Sequence, residues 1–227
     1  GGGSKGIKNK NIRNLSGKPL IAYTIEQAIA TKLFAHIVVS TDSDDIADIS
    51  QQYGAEVFFK REASLAKDAA GKLDVIVDAV LRSEKHFEKS FKYILDLQPT
   101  SPLREDYDIV LAFEQFLRDN NDVLITATPS KTSPYFSMVE VYEDGTVFLS
   151  KKTDKSILRR QDAPKTYDMN GSIYIWKKEV LLKKRTLFLK KTGLYVMPEE
   201  RSVDIDTMFD FEFTKFLMTK KITKQGD

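Results

Sequence analysis

The sequence contains no cysteine and only two histidines, His36 and His86, among its 227 residues. The lack of cysteine excludes disulfides, zinc–thiolate sites and cysteine nucleophiles. Two histidines are too few for a histidine-rich metal site. Lys and Arg total 35 against 33 Asp and Glu, a formal net charge of +2. This near balance argues against nucleic acid as a partner, because nucleic-acid-binding surfaces need a concentrated basic excess.

Long apolar runs are missing as well. No apolar run approaches the roughly 20 residues that a helix needs to span a bilayer, so no membrane partner is expected. The amino terminus shows no secretory signal pattern. Hydrophobic residues make up 41% and charged residues 30% of the chain, as in ordinary globular proteins. We therefore expect a cytoplasmic enzyme with a single domain over residues 1–227.

Strand-like and helix-like segments alternate through the first 130 residues. Apolar residues at helical spacing predict helices over 18–33, 73–87 and 109–117, with a shorter helix between Ser43 and Gly54. Apolar runs predict strands over 36–40, 56–59, 93–97 and 123–127. Such alternation is typical of an α/β fold with a mostly parallel sheet and right-handed crossovers.

The pattern changes after residue 129. Two strand-like runs, 139–142 and 146–149, flank Glu143-Asp144-Gly145 and predict a hairpin, and the segment 153–168 is polar and irregular. Strand character returns at 172–176 and 194–197, and a last helix is predicted over 209–218. The sheet core is thus expected to be interrupted by an inserted excursion over roughly 130–170.

The chain opens with the glycine-rich run Gly1-Gly2-Gly3-Ser4-Lys5-Gly6, and Lys10-Asn11 follows. Glycines let backbone N–H groups wrap a phosphate, and a lysine supplies the opposing charge. A flexible tail would also begin with glycines. The spacing matches neither the Walker loop nor a dinucleotide-binding loop, so phosphate binding and a tail both remain open on this pattern alone.

A pair of acids near the carboxyl terminus is the second candidate feature. Alternation along Ser202-Val203-Asp204-Ile205-Asp206 places Asp204 and Asp206 on one face of an extended segment. Two carboxylates beside a triphosphate would suit a hard cation such as Mg²⁺. The alternative is an exposed edge with two solvated acids.

Two further segments carry polar groups after predicted strands or in the excursion. The run from Leu97 to Arg104 has two prolines that hold Gln98 and Arg104 in fixed directions at the carboxyl end of a strand, where α/β proteins bind ligands. An ordinary turn with Arg104 as a surface charge is the alternative. Arg160 could grip an acidic sugar through its guanidinium fork, or could belong to an exposed ion-paired loop.

Taken in order, these clusters resemble the CMP-sialic acid synthetases, also called acylneuraminate cytidylyltransferases, over nearly the whole chain. The motifs that carry the resemblance are Gly2 to Gly6 with Lys10-Asn11, the run 97–104, Arg160-Gln161, Asn170-Gly171 and the run 202–206. The stretch 160–176 is similar to the branch of the family that handles legionaminic acid.

The resemblance implies a three-layer nucleotidyltransferase fold, a homodimer built through the excursion, and transfer of CMP from CTP to a nonulosonic acid with release of pyrophosphate. It implies that the CTP phosphates are held by Gly2, Gly3, Ser4, Lys5, Gly6, Lys10 and Asn11. It further implies that Lys5, Lys10 and Asp206 are catalytic, that Asp204 and Asp206 bind Mg²⁺, and that Gln98, Arg160 and Tyr174 contact the sugar.

The sequence departs from the family pattern at two places. The family enters the glycine loop from a buried strand that ends in an arginine, and here Gly1 stands at the place of that arginine. We expect either a sheet without its central first strand or a fragment of a longer chain, and hence poor stability or weak activity. In Asp68-Ala69-Ala70-Gly71-Lys72, Ala69 and Gly71 cannot supply the hydroxyl groups that the family offers to the nucleotide, so backbone groups or Lys72 would have to take their place.

Two other functions stay open at this point. The enzyme could activate a different acidic sugar, such as an eight-carbon one, and a panel of sugar acids would separate the two. The chain could also be a non-catalytic nucleotide-binding module that kept the fold and lost the arginine. Binding of CTP without release of pyrophosphate would identify that case.

Overall fold

The computed structural model describes residues 7–62, 64–65, 71–152 and 159–225. Its α-helices are α1 Leu20–Thr31, α2 Asp44–Gln52, α3 Lys72–Phe87, α4 Asp106–Arg118, α5 Lys178–Lys184 and α6 Met208–Gln225. Its strands are β1 Asn14–Leu15, β2 Lys18–Pro19, β3 Tyr93–Leu97, β4 Val123–Pro129, β5 Val139–Val141, β6 Val147–Leu149, β7 Tyr167–Lys177 and β8 Thr192–Val196. Short 3-10 turns lie at Lys10–Ile12, Arg160–Asp162 and Glu199–Arg201.

The central sheet has the strand order β3-β7-β4-β8. Strand β4 runs parallel to β8, whereas β7 runs antiparallel to both of its neighbours. Strands β3, β4 and β8 therefore point the same way, and β7 makes the sheet mixed where the sequence predicted a mostly parallel one. The reason lies in the connection, because β7 is reached through the excursion after β4, whose described residues form no crossover helix.

Helices cover both faces of this sheet, which gives the expected three layers. On one face, α3 and α5 pack against alternate side chains of β4 and β7, including Val123, Ile125 and Trp176. On the other face, α4 packs against the residues between them, including Leu124 and Ile175. Both faces of these strands are apolar because both are covered, and each fully buried aliphatic side chain contributes roughly 1.5–3 kcal/mol.

The amino-terminal third contains less regular β-structure than the sequence predicts. The Ser43 hydroxyl accepts a hydrogen bond from the Ile46 N–H at 3.4 Å and caps α2, as predicted. The strands predicted over 36–40 and 56–59 are wrong in extent, because they are reduced to one parallel bridge between Val38 and Glu56. Residues 36–40 and strand β3 instead line a common cavity. An apolar run becomes a strand only where a partner offers hydrogen bonds along its length.

The excursion begins with the predicted hairpin, in which β5 pairs with β6. The adjoining segment 153–158 lies outside the described residues. The expectation that the sheet lacks a strand ahead of Gly1 also concerns a part of the chain outside those residues, and it stays a prediction. Among the helices that the structure describes, none is long and apolar enough to cross a membrane.

Candidate active site

The structure brings Lys10 and Asp206 together although 196 positions separate them in the chain. The 3-10 turn Lys10–Ile12 follows Asn9, whose left-handed backbone reverses the chain. The Lys10 ammonium then donates to the Ile205 carbonyl at 2.8 Å and lies 3.3 Å from an Asp206 carboxylate oxygen. One end of the candidate site is thus a lysine set against an aspartate, with Asn11 lining the same cavity.

The loop that carries Asp204 and Asp206 is extended but forms no strand. The predicted alternation holds, because Ile205 is buried among apolar residues while both aspartates are exposed. The Ile205 N–H donates to the Thr100 carbonyl at 2.9 Å. This bond fixes the acidic loop beside the proline-rich loop that follows β3.

Electrostatic repulsion is built into the acidic loop. Although Asp204 is exposed by surface area, partial desolvation by the surrounding protein and the charge of Asp206 raise its pKa, while a hydrogen bond from Thr100 and the charge of Lys10 act in the opposite direction. Hard oxygen ligands that repel one another suit a divalent cation, so Asp204 and Asp206 fit Mg²⁺. In the part of the chain that the structure describes, no group of three or more acidic or histidine side chains could hold a metal ion.

A second polar cluster lies at the carboxyl end of β3. The Gln98 amide donates to an Asp96 carboxylate oxygen at 2.9 Å, and the Lys72 ammonium lies 3.1 Å from the same oxygen. That ammonium also lies 3.9 Å from the centroid of the Tyr174 ring. Burial, followed by the charges of Asp96 and Asp204, raises the pKa of Tyr174. The predicted sugar contacts Gln98 and Tyr174 are therefore neighbours, and Lys72 and Asp96 join them.

A bulge in β7 shapes this cluster. The pairing of β4 with β7 shifts register between Ile125 and Ala127, and Gly171 adopts a φ of +64° within the bulge. A side chain at Gly171 would meet the Tyr174 hydroxyl at 3.6 Å and Gln98 at 4.0 Å. These are ordinary contact distances, so glycine suits this position for its left-handed backbone conformation.

Asn170, in the same bulge, ties the sheet to the acidic loop. Its side-chain oxygen accepts a hydrogen bond from the Thr126 hydroxyl at 2.7 Å, and its amide donates to the Ser202 hydroxyl at 3.0 Å. Asn170 is buried, so these bonds replace those that water would have made. The Asn170-Gly171 pair thus has a structural role that links β4, β7 and the segment before Asp204.

Arg104 is neither a surface charge nor a group presented to ligand, so both sequence interpretations of it are wrong. It is 1% exposed. Its guanidinium donates to the Ser172 carbonyl at 2.7 Å, to the Thr24 hydroxyl at 2.8 Å and to the Gln27 side chain at 3.1 Å. Burial lowers its pKa to about 10, which leaves it charged at neutral pH. It fixes the backbone beneath Gln98, and the sequence shows only a loop arginine.

One cavity of about 870 Å³ connects the two polar clusters. Its polar rim includes Lys10, Asn11, Lys72, Gln98 and Thr100, while its deeper walls are apolar. A volume in this range and a few convergent polar groups are typical of small-molecule sites.

Several predicted site residues fall outside what the structure describes. These are Gly2, Gly3, Ser4, Lys5 and Gly6, together with the side chain of Arg160. Of the segment that departs from the family pattern, only Gly71 and Lys72 are described. The roles predicted for Gly2 to Gly6 and for Arg160 therefore stay predictions.

Comparison with solved structures defines the fold as that of a nucleotidyltransferase. The CMP:2-keto-3-deoxy-manno-octonic acid synthetase complexed with CTP superposes with a TM-score of 0.70 at 16% identity, over 97% of this chain and 95% of that one. A 4-diphosphocytidyl-2C-methyl-D-erythritol synthase from Anaerococcus prevotii superposes with a TM-score of 0.62 at 15% identity, over 92% and 93%.

Sequence comparison identifies the family. The cytidylyltransferase family model matches residues 2–226. The flagellin modification protein B of Campylobacter coli is 50% identical over 100% of this chain and 95% of its own. The CMP-N,N'-diacetyllegionaminic acid synthase of Campylobacter jejuni is 51% identical over 97% and 92%. The chain belongs to the cytidylyltransferase family that includes the CMP-sialic acid synthetases, and it is a CTP-dependent nucleotidyltransferase.

Proposed function

We propose that this enzyme transfers CMP from CTP to the anomeric hydroxyl of a nonulosonic acid. The observation that carries the proposal is the single cavity whose rim holds Lys10 at one end and Lys72 with Gln98 at the other. A nucleoside triphosphate and a sugar acid need two polar subsites that meet at the α-phosphorus of the nucleotide. The names of the relatives, which include legionaminic, pseudaminic and sialic acid enzymes, support the same substrate class.

The nucleotide half of the site is assigned to the Lys10 end. Lys10, with Lys5 and the glycine loop Gly2 to Gly6, would hold the triphosphate, and Asn11 would assist. Asp204 and Asp206 would hold Mg²⁺, which when bound offsets charge on phosphate oxygens. The Lys10 ammonium already lies at the Ile205 carbonyl, so its position is set before substrate arrives. A fixed charge near the reacting group stabilises a transition state without reorganisation.

The sugar half is assigned to the Gln98 end. Gln98 and Tyr174 would hydrogen-bond the sugar, and Arg160 would lie near its carboxylate. The anomeric oxygen forms a bond to the α-phosphorus, the bond from that phosphorus to the bridging oxygen breaks, and pyrophosphate leaves as the hydroxyl proton is lost. The protein contributes alignment and charge, which suffices for this kind of transfer.

We assign the enzyme to the legionaminic acid branch. The support is the similarity of 160–176 to that branch and the 51% identity with the Campylobacter jejuni synthase, against 33% with a pseudaminic acid enzyme. The test is pyrophosphate release from CTP and Mg²⁺ with each sugar acid in turn. We expect N,N'-diacetyllegionaminic acid to give the highest kcat/KM. A higher value with N-acetylneuraminic or pseudaminic acid would overturn the branch assignment.

We also propose a homodimer formed through the excursion at 130–170. The hairpin supports this, because its cross-strand pairs place four apolar side chains on one exposed face. Their exposed fractions are 55% for Val139, 65% for Val141, 60% for Val147 and 39% for Leu149. An apolar face of this kind marks an interaction site, and a second copy of the chain would cover it symmetrically.

Sedimentation of the wild type and of the double variant Val141→Lys/Val147→Lys tests the dimer. We expect a dimer for the wild type and a monomer for the variant, since the two substitutions place like charges at a paired position of the face. A wild type that sediments as a monomer at working concentration would refute the dimer, and a variant that remains a dimer would refute this interface.

A further inference from the structure

The carboxylate of the sugar acid needs a cation, and the cavity offers few candidates. Among the described residues that line it, the lysines and arginines are Lys10, Arg61, Lys72 and Lys92. We propose that the ammonium of Lys72 binds the carboxylate of the sugar, an inference that rests on the proposed function. It assigns to the sugar half a residue that the sequence offered only as a substitute for nucleotide-binding hydroxyl groups, because Lys72 lies beside Asp96 and the Tyr174 ring.

Position excludes the other three cations among the described lining residues. Lys10 is held by the Ile205 carbonyl and Asp206 at the nucleotide end. Arg61 donates to the Ser40 hydroxyl at 3.3 Å and also to the Ser40 carbonyl, on the segment across the cavity from β3. Lys92 lies over the Tyr93 ring, at the amino end of β3 and away from Gln98. Among the described residues Lys72 remains as the cation of the Gln98 end, and it would act together with Arg160, whose side chain lies outside the described part of the chain.

The Lys72 ammonium has N–H donors that Asp96 does not use. Its side chain is 44% exposed, against 23% for the Asp96 partner. An ammonium has three N–H donors, and Asp96 needs one of them. The others are available to a carboxylate that enters the cavity. The Tyr174 ring, whose centroid lies 3.9 Å from the ammonium, attracts the positive charge and limits where it can sit.

Asp96 explains why a cation is required here. Its carboxylate accepts from the Gln98 amide, so a negative charge lies within the subsite that must receive a negatively charged sugar. Without Lys72 the two carboxylates would repel each other. With Lys72 between them, Asp96 fixes both the lysine and Gln98, and the subsite admits an acid. A neutral sugar would leave Lys72 and Asp96 paired and would gain nothing from the cation.

The test compares Lys72→Met, Lys72→Arg and Lys92→Met with the wild type. Lys92→Met is the matched control, because it removes a lysine that also stands over a tyrosine ring and also lines the cavity. We expect Lys72→Met to raise KM for the sugar acid about 10- to 100-fold, as for loss of a hydrogen bond to a charged group, with KM for CTP and Tm close to wild type. Lys72→Arg should recover most of the affinity, and Lys92→Met should change neither KM.

A neutral ligand gives a second readout. The methyl ester of the same sugar acid, tested as a competitive inhibitor, should bind the wild type and Lys72→Met equally well. An unchanged sugar KM in Lys72→Met, or an equal loss for acid and ester, would overturn the inference. If the wild type makes no CMP-sugar from any nonulosonic acid, the proposed function fails instead, so the two failures are distinguishable.

Discussion

The two ends of the cavity are built from the same pair of residue types and suit different ligands. Lys10 faces Asp206 at 3.3 Å, and Lys72 faces Asp96 at 3.1 Å. Around Lys10 the neighbours are further carboxylates, those of Asp204 and Asp210. Around Lys72 they are an amide and an aromatic ring. The ion pair alone therefore does not determine which ligand binds at each end, and the neighbouring groups do.

Excess negative charge at the Lys10 end suits a hard cation, which would offset charge on phosphate oxygens. Amide, phenol and a single shared carboxylate at the Lys72 end suit an organic acid with hydroxyl and amide groups. If the two ends bind different substrates, a substitution at the Lys10 end and one at the Lys72 end should change different kinetic constants.

The largest effect is expected at the nucleotide end. Asp206→Ala should lower kcat about 100- to 1000-fold, because it removes a charge next to the transferring phosphoryl group. Steady-state kinetics at saturating sugar measures this. Asp44→Ala is the control, since Asp44 forms an exposed ion pair with Lys60 at 2.8 Å and lies outside the site. Near-normal turnover of Asp206→Ala would remove the metal and catalytic assignments.

A loss of stability is expected from the arginine beneath the sugar end. Arg104→Ala should reduce the free energy of unfolding by about 3 kcal/mol, roughly a hundred-fold in the folding equilibrium, because buried acceptors lose their donor. Urea denaturation followed by circular dichroism measures it. Under conditions in which Arg104→Ala remains folded, its KM for the sugar should rise more than its KM for CTP. A variant as stable as the wild type would contradict the role of Arg104 as an internal support.

A smaller effect is expected from the amide at the sugar end. Gln98→Ala should raise KM for the sugar about 10-fold, the cost of one hydrogen bond within a polar subsite, and leave KM for CTP unchanged. Gln115→Ala is a suitable control, since the Gln115 amide binds the Leu194 carbonyl on another part of the fold. If Gln98→Ala moved both KM values equally, the division of the cavity into two ends would fail.

The smallest effect concerns the titration of Asp204. Because the raised pKa means that the folded state holds this proton more tightly than an ordinary aspartate, the carboxylate ionises only at a higher pH than usual. Asp206→Asn removes the like charge and should lower the pKa of Asp204. Carbon-13 NMR titration of labelled aspartate without Mg²⁺ measures the change. A pKa that stays fixed or rises would show that the two carboxylates do not interact.

Periodicity in the sequence predicts the elements that lie in the well-packed part of the molecule. Helix α3 and strands β3 and β4 are found within two residues of their predicted ends, because their apolar faces meet partners on both sides. The 36–40 segment has an equally strong apolar run, yet only Val38 forms a bridge. Strand formation depends on a partner elsewhere in the chain, so the local sequence of 36–40 could not show that the strand would be absent. The short helix α5 was not predicted, since seven residues give too little periodicity.

The candidate site was predictable to the extent that its residues lie in recognisable motifs. The motifs predict Lys10 and Gln98, which line one cavity, and also Asp206 and Tyr174, which contact the lining residues Lys10 and Lys72. The pairing of Lys72 with Asp96 comes only from the fold, because 24 positions separate the two residues in the chain. The signal that could have indicated Asp96 is a single acid inside the apolar strand Tyr93–Leu97.

The measurement that tests the central claim most directly is the formation of CMP-sugar and pyrophosphate from CTP, Mg²⁺ and N,N'-diacetyllegionaminic acid. We predict equal amounts of both products, with release that depends on the sugar and stops when Mg²⁺ is chelated. A folded protein that binds CTP but releases no pyrophosphate with this acid, N-acetylneuraminic acid or pseudaminic acid would contradict the account.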